Sequence, residues 1–180
     1  MYKHCTTEES VRRQRQLEQC LLELMQTIPY PQITVSHVCD MAGLSRKSFY
    51  RYFTNKDGCL YSLIDHCIYD GSYHYLPSTF ETVDSRMFYT RFFTYWYQNR
   101  QLIEVLTRNS LSILLPERMI HYVQAEERGF PQYLGKRTDS AEQLLFMISG
   151  IMGLVLNWHH TGYQKTPEQM AQIMEHISQN

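Results

Sequence analysis

The chain is poor in the residues that interrupt regular structure. Its 180 positions hold only 8 Gly and 6 Pro, too few for the many turns of a sandwich or barrel of short strands. Cysteine is sparse and unpatterned. Cys5, Cys20, Cys39, Cys59 and Cys67 are odd in number, widely spaced and free of any C-x-x-C pair. Free thiols behaving as small apolar residues in a reducing compartment are expected, and no basic surroundings in the sequence point to a redox role for Cys39 or Cys59. Long hydrophobic runs are missing too. The longest nearly apolar stretch, Leu144 to Leu156, has 13 residues, short of the roughly 20 that cross a bilayer. The opening MYKHCTTEES has no apolar core, so no signal peptide is expected. Catalytic signatures are absent as well: no Gly-rich phosphate loop, no Ser/His/Asp or Cys/His set, no marked carboxylate pair. The histidines show no zinc spacing. His159 and His160 are adjacent and point apart on a helix, and His66 and His74 lie eight apart. Neither enzyme, metal nor cofactor is expected.

What the chain does have is apolar and aromatic bulk. Hydrophobic residues make up 43% and charged residues 19%, enough for a packed core; 14 Tyr, 8 Phe and 2 Trp make up 13%. Net charge is only −1, but it is unevenly spread. Residues 1–60 carry eight basic and six acidic side chains, net +2, and residues 61–180 carry nine and twelve, net −3. The cationic side chains thus concentrate where a nucleic-acid module would need them.

Helical periodicity dominates. Thr6 with Glu9 reads as a capping box, followed by Leu17, Leu21, Leu24, Met25 and Ile28 at helical spacing until Pro29 and Pro31. Thr34 then caps a short helix with inner face Val35, Val38, Cys39 and Ala42. Gly43 supplies a tight turn and Leu44 an apolar plug. Ser45 caps a second short helix that turns Phe49 and Phe53 inward and displays Arg46, Lys47, Ser48, Tyr50, Arg51 and Tyr52. Two short helices around a glycine turn make a helix-turn-helix, whose second helix must be braced by the first to enter a major groove. A fourth helix is expected from Asp57 to about Tyr69, with Gly71 ending or kinking it and Pro77 marking a break. Further helices are expected around Phe88–Trp96 behind Asp84 or Ser85, around Leu102–Leu106, and around Ile113–Val123 near Pro116. Two more are expected at Ser140–His160 and from Thr166-Pro167 to near Ser178.

The segment from Thr34 to Leu63 resembles the TetR-like family of bacterial transcriptional regulators. The matching features are Thr34, the Ala42-Gly43 turn, Ser45, the aromatic run Tyr50 to Phe53, and Lys56-Asp57 opening the next helix. Lys47 stands where many relatives have Gly, and Gly58 stands where a helix former is usual. The resemblance implies an all-α protein: a three-helix helix-turn-helix DNA-binding domain over residues 1–56, then an α-helical ligand-binding and dimerisation domain over residues 57–180. It implies a cytoplasmic homodimer on a palindromic double-stranded operator, most often a repressor, released by a small-molecule inducer and with no membrane association. On the DNA surface Arg46, Lys47 and Ser48 are placed for base edges or nearby phosphates, Tyr50, Tyr52 and Lys56 match family positions that touch the phosphate backbone, Thr34 and Ser45 combine capping with phosphate contact, and Arg51 belongs to the same surface with no assigned task. The alternative is a helical ligand- or protein-binding module that no longer reads DNA.

The C-terminal part loosely resembles regulators of dihydroxyacetone kinase operons through Trp96–Ile103 and Gly150–Trp158. Phe92, Tyr95, Trp96, Met119, Tyr122, Met147 and Ile151 are candidates for an apolar, aromatic ligand pocket, plain core being the competing reading. The family pairs its last two helices with those of a second copy. This makes Ser149, Gly150, Gly153, Leu154, Trp158, Met170, Ile173 and Met174 candidates for a dimer face, Ser149 and the two glycines permitting close helix approach.

Overall fold

The computed structural model describes residues 1–75, 84–125 and 141–179. Pro77 and Ser140, which the sequence marks as element boundaries, lie outside them. Among the described residues the chain is all-α, with nine α-helices, and divides into two compact units, Met1–His66 and Cys67–Asn180.

In the first unit, α1 spans Glu8–Leu24, α2 Val35–Ala42 and α3 Arg46–Tyr52; α4, Lys56–Tyr75, begins here and runs on into the second unit. The first cap falls on Thr7, one residue later than the sequence pattern suggested. Its hydroxyl accepts from the Ser10 amide, and Ser10 occupies the reciprocal position expected for Glu9, which instead pairs with Arg13. Thr34 caps α2 in a full capping box whose far member is His37: the Thr34 hydroxyl accepts from the His37 amide, and His37 Nδ1 accepts from the Thr34 amide. α2 stops at Gly43, which takes a left-handed φ of 63° that residues with a Cβ adopt at a cost. Its amide, and that of Leu44, return to the carbonyls of Asp40 and Cys39. α1 packs on α2 and α2 on α3, closing a core of Leu17, Leu21, Val38, Cys39, Phe49 and Phe53. Truncating a side chain as buried as Phe49 costs about 3–5 kcal/mol.

The second unit holds the rest of α4 and then α5 (Ser85–Gln98), α6 (Arg100–Arg108), α7 (Leu114–Ala125), α8 (Ala141–His160) and α9 (Pro167–Gln179). α4 does not end near Tyr69: it continues through Gly71, which is buried, since one interior glycine costs a helix only about 1 kcal/mol and surrounding packing outweighs that. Asp84 caps α5 through the Arg86 amide. Pro116 sits in the first turn of α7, where a missing amide hydrogen breaks no helical bond. Thr166 and Gln169 form a capping box at the start of α9. α5 packs along α9 and α7 against α8 around Phe88, Phe92, Phe93, Trp96, Met152 and Trp158.

Candidate nucleic-acid interface

α3 is seven residues long, about 10 Å at 1.5 Å per residue, a piece that fits within a major groove about 12 Å wide. Its register is set from both ends. At the start, Ser45 Oγ accepts from the Ser48 amide at 3.1 Å and lies 3.1 Å from Ser48 Oγ. At the end, Phe49 and Phe53 lie 5.1 Å apart between ring centroids with their planes tilted by 51°, fully enclosed. With that face buried, Arg46, Lys47, Tyr50 and Arg51 project outward, Tyr50 being 49% exposed, and Ser48 is half-buried. Thr34 and Ser45 are exposed, and each hydroxyl accepts a capping bond from its own helix.

Two expected members of this surface are placed differently. Tyr52 is only 8% exposed; α3 has turned it into the interior beside Phe53. Lys56 points inward as well. Its Nζ donates to the carbonyls of Tyr30 at 2.5 Å and Ile33 at 2.8 Å, and lies 4.0 Å from the centroid of the Tyr30 ring. Partial burial lowers its pKa, which neighbouring Asp57 partly offsets. Asp57 in turn accepts the Tyr30 phenol at 2.6 Å. Burial, reinforced by that bond, pushes the Tyr30 phenol well above its ordinary value and keeps it a donor. Lys56 and Asp57 thus lock the short 3-10 turn Tyr30–Gln32, between α1 and α2, to the start of α4. The sequence supplied Lys56 and Asp57 but not Tyr30, which belongs to no helical period and is flagged only by its place before Pro31.

Cys20, Cys39 and Cys59 are buried around this core, and burial raises each thiol, that of Cys59 most completely enclosed. Thiols held protonated in this way are poor nucleophiles. Among the described residues no three His, Cys, Asp or Glu side chains come together as a metal site. His66 is engaged by the buried Glu18 instead, Nδ1 lying 2.9 Å from both carboxylate oxygens.

The second unit has a cavity lined by Phe88, Tyr89, Phe92, Met119, Met147, Ile148, Ile151 and Met174. Its volume is about 10 Å³, at the lower limit of what one water requires. Phe92, Met119, Met147 and Ile151 are among its walls; Tyr95, Trp96 and Tyr122 are not. Tyr95 donates to the Cys67 carbonyl at 2.6 Å, and the Tyr122 hydroxyl lies 3.0 Å from Ser72 Oγ. Trp96 is wholly buried, and its indole nitrogen has no hydrogen-bond partner among the described residues.

On α8, Ser149, Gly150 and Gly153 are exposed, and a Cβ added at either glycine would meet nothing within 4 Å. Leu154 and, on α9, Ile173 are half-exposed. Trp158, Met170 and Met174 belong instead to their own unit's core, Trp158 donating to the Lys165 carbonyl at 2.9 Å. Phe146, 78% exposed, and Ile177, 52% exposed, extend the outward apolar surface beyond the set the sequence suggested. α8 has 20 residues, more than its apolar run, and an 18-residue window of it reaches a mean hydropathy of 1.3, enough to cross a membrane by length and composition alone. Only 28% of that apolar window is buried.

A cationic recognition helix, braced by a capped partner helix around a left-handed glycine, is the design of a helix-turn-helix DNA-binding protein. Residues 21–63 match the model for bacterial regulatory proteins of the tetR family, and residues 84–180, more than half of the chain, match that for a transcriptional regulator C-terminal region of the same group. The chain belongs to the tetR family of transcriptional regulators. No curated protein matches it. Among solved structures it is similar to a TetR transcriptional regulator from Streptococcus agalactiae, 17% identical, with a TM-score of 0.63 over 94% of this chain and 95% of that one. It is also similar to the fatty acid degradation regulator FadR from Bacillus halodurans, 16% identical, with a TM-score of 0.63 over 97% and 96%. A third is the dihydroxyacetone kinase operon activator DhaS, 15% identical, with a TM-score of 0.60 over 93% and 94%. At these identities the likeness is one of fold.

Proposed function

We propose that this regulator binds a palindromic operator as a homodimer in the cytoplasm, acts there as a repressor, and is released by a small apolar ligand. In this reading residues 1–56 are the reading head and residues 57–180 the regulatory and dimerising body. The observation that carries it is the outward row Arg46, Lys47, Tyr50 and Arg51 on a helix whose opposite face is locked into the core. Arg46, Lys47 and Ser48 read base edges from the first turn of α3. Tyr50, Arg51, Thr34 and Ser45 hold phosphate. Lys56 and Tyr52 leave the contact set: Tyr52 packs behind α3, and Lys56 fastens the Tyr30–Gln32 turn to the start of α4.

The homodimer is supported by α8. A helix this apolar and this little buried needs a cover, and its Ser149, Gly150 and Gly153 row admits another helix closely. An open groove along α9, lined by Lys165, Gln169, Gln172, Ile173, His176 and Ile177, offers a second exposed face. Two-fold symmetry would present two copies of α3 to the two half-sites of a palindrome. For the inducer, the support is the wall of Phe88, Phe92, Met119 and Met147: its methionines repack readily and offer an apolar ligand contact once the cavity opens.

The test is selection of bound fragments from sheared genomic DNA, followed by titration of the selected site. Arg46→Ala with Lys47→Ala should weaken specific binding by at least tenfold and flatten its salt dependence while the dimer persists. Specific binding that survives the double change at physiological salt refutes the assignment of α3.

A further inference from the structure

Before α1 the chain forms a short strap across the end of the recognition helix. Tyr2 and Phe53 form an antiparallel bridge. The Lys3 amide donates to the Tyr52 carbonyl at 2.9 Å, and the Thr54 amide and hydroxyl donate to the Met1 carbonyl at 3.2 and 2.9 Å. Tyr52–Thr54 are the residues at which α3 ends and the chain turns into α4.

The far side of the strap is fastened too. The Tyr2 phenol donates to the Asp65 carboxylate of α4, and its ring faces His66 at 6.2 Å. The Lys3 carbonyl accepts from Gln14 Nε2 at 3.1 Å, and that same amide donates to Ser62 Oγ at 3.1 Å. Ser62 donates to Glu18 at 2.6 Å, and Glu18 meets His66. Gln14, Ser62 and Glu18 are all buried. The strap therefore ties the end of α3 to a buried polar network between α1 and α4.

Gly58 has its explanation here. A Cβ on that residue would stand 2.5 Å from the Met1 carbonyl oxygen and 3.2 Å from Met1 C and N, all of them backbone atoms. The position where a helix former is usual is a notch cut for the strap. Asn55 Oδ1 caps the Gly58 amide at 2.8 Å and holds the helix start despite the glycine.

We propose that Met1–Lys3 is a second brace for the recognition helix, and that Lys3, through its backbone amide, and Gly58, through its missing side chain, are positioning residues for DNA binding. α2 and the Ser45 cap fix the first turn of α3, and the strap fixes its last. Freed of the strap, the last turn of α3 keeps its buried Phe49, Tyr52 and Phe53 but loses its backbone anchor, and the phosphate and base contacts on it lose their common alignment. This rests on the DNA-binding reading above.

The test uses the full chain and a selected operator, well below each variant's thermal midpoint. Lys3→Pro removes the amide hydrogen that reaches Tyr52; Lys3→Met keeps it and removes only the charge. Gly58→Ala pushes out the Met1 carbonyl. Lys3→Pro and Gly58→Ala should each lower operator affinity at least fivefold with the salt slope unchanged, Lys3→Met should leave affinity within twofold, and the double change should cost no more than either alone. The Thr54 amide, protected from hydrogen exchange in the parent, should exchange freely in both strap variants. If Thr54 loses protection while affinity holds, or if the losses multiply, the strap does not position α3. A reduced salt slope with Lys3→Met makes Lys3 a phosphate contact and overturns the proposal as well. If Lys3→Pro does not fold, Gly58→Ala decides alone. A parent that binds no DNA but protects Thr54 refutes the DNA-binding reading; a parent with Thr54 unprotected refutes the strap.

Discussion

Replacing Lys56 by Met separates a support from a phosphate contact. Methionine keeps the apolar stem and removes the ammonium that donates to the Tyr30 and Ile33 carbonyls. Charge-assisted hydrogen bonds contribute about 1.5–3 kcal/mol each and the ring contact about 0.5–1. Against this stands the cost of partly burying the ammonium, visible in its lowered pKa. The variant also leaves the Ile33 carbonyl without this donor, a cost of about 1–3 kcal/mol, whereas the Tyr30 carbonyl keeps the Ile33 amide. The net loss should be about 3 kcal/mol, a large share of the 5–15 kcal/mol that stabilises a typical domain. Urea unfolding followed two ways localises it. Both tryptophans, Trp96 and Trp158, lie in the second unit, so their fluorescence reports that unit, whereas far-ultraviolet circular dichroism reports both. The loss should appear as an early dichroism transition, roughly 1–2 M lower in urea, with the fluorescence midpoint little changed. An unmoved dichroism midpoint, together with a salt slope of operator binding reduced by about 0.9, would mean that Lys56 serves a phosphate and that the inward geometry is irrelevant.

Three further outcomes are expected. Burial lowers the His159 pKa, with His160 adding to the effect and Glu104 opposing it, so the folded chain resists protonating this ring. Below the unfolded value of about 6.5 the unfolded state takes up the proton first; stability should be intact above that pH, fall as pH drops through it, and fall less steeply in His159→Asn, as thermal melts across pH would show. Thiol labelling of the native protein should modify Cys5 and Cys67 before the buried cysteines and Cys59 last, and rapid labelling of Cys59 would contradict its burial. Gly153→Leu should leave the protomer as stable or slightly more so, because the space is open, yet weaken self-association at least tenfold in sedimentation; an undiminished dimer would place the interface elsewhere.

The helices were legible because the chain punctuates itself. Thr34, Gly43 and Ser45 announce caps and a left-handed turn by residue type alone, and the structure uses each of them so. Where local signals compete, legibility fails. Thr6 and Thr7 are equivalent in type, and only the position of Ser10 selects the second. Gly71 looks like a stop but is overruled by burial. At the interface, exposure follows helical geometry for Arg46, Lys47, Tyr50 and Arg51. Tyr52 is three residues on from Phe49 and shares its buried face, so periodicity alone contains the answer that its aromatic-polar character obscured. Lys56 and Gly58 could not be resolved from sequence, since their partners, Tyr30, Ile33 and Met1, come from distant segments with no pattern of their own. The cavity walls were half legible for the same reason: an inward aromatic on α5 can face either a void or a neighbour.

The smallness of the cavity bears on how a ligand would enter. With room for about a single water, the space between Phe92, Met119 and Met147 would have to widen before a larger apolar molecule could enter. Entry is then paced by how often the wall opens rather than by diffusion, and the apparent dissociation constant is the intrinsic one divided by the open fraction. If a ligand acts here as proposed, enlarging the void by Met147→Ala should speed its binding, as stopped-flow mixing would show; an unchanged rate would place ligand entry elsewhere.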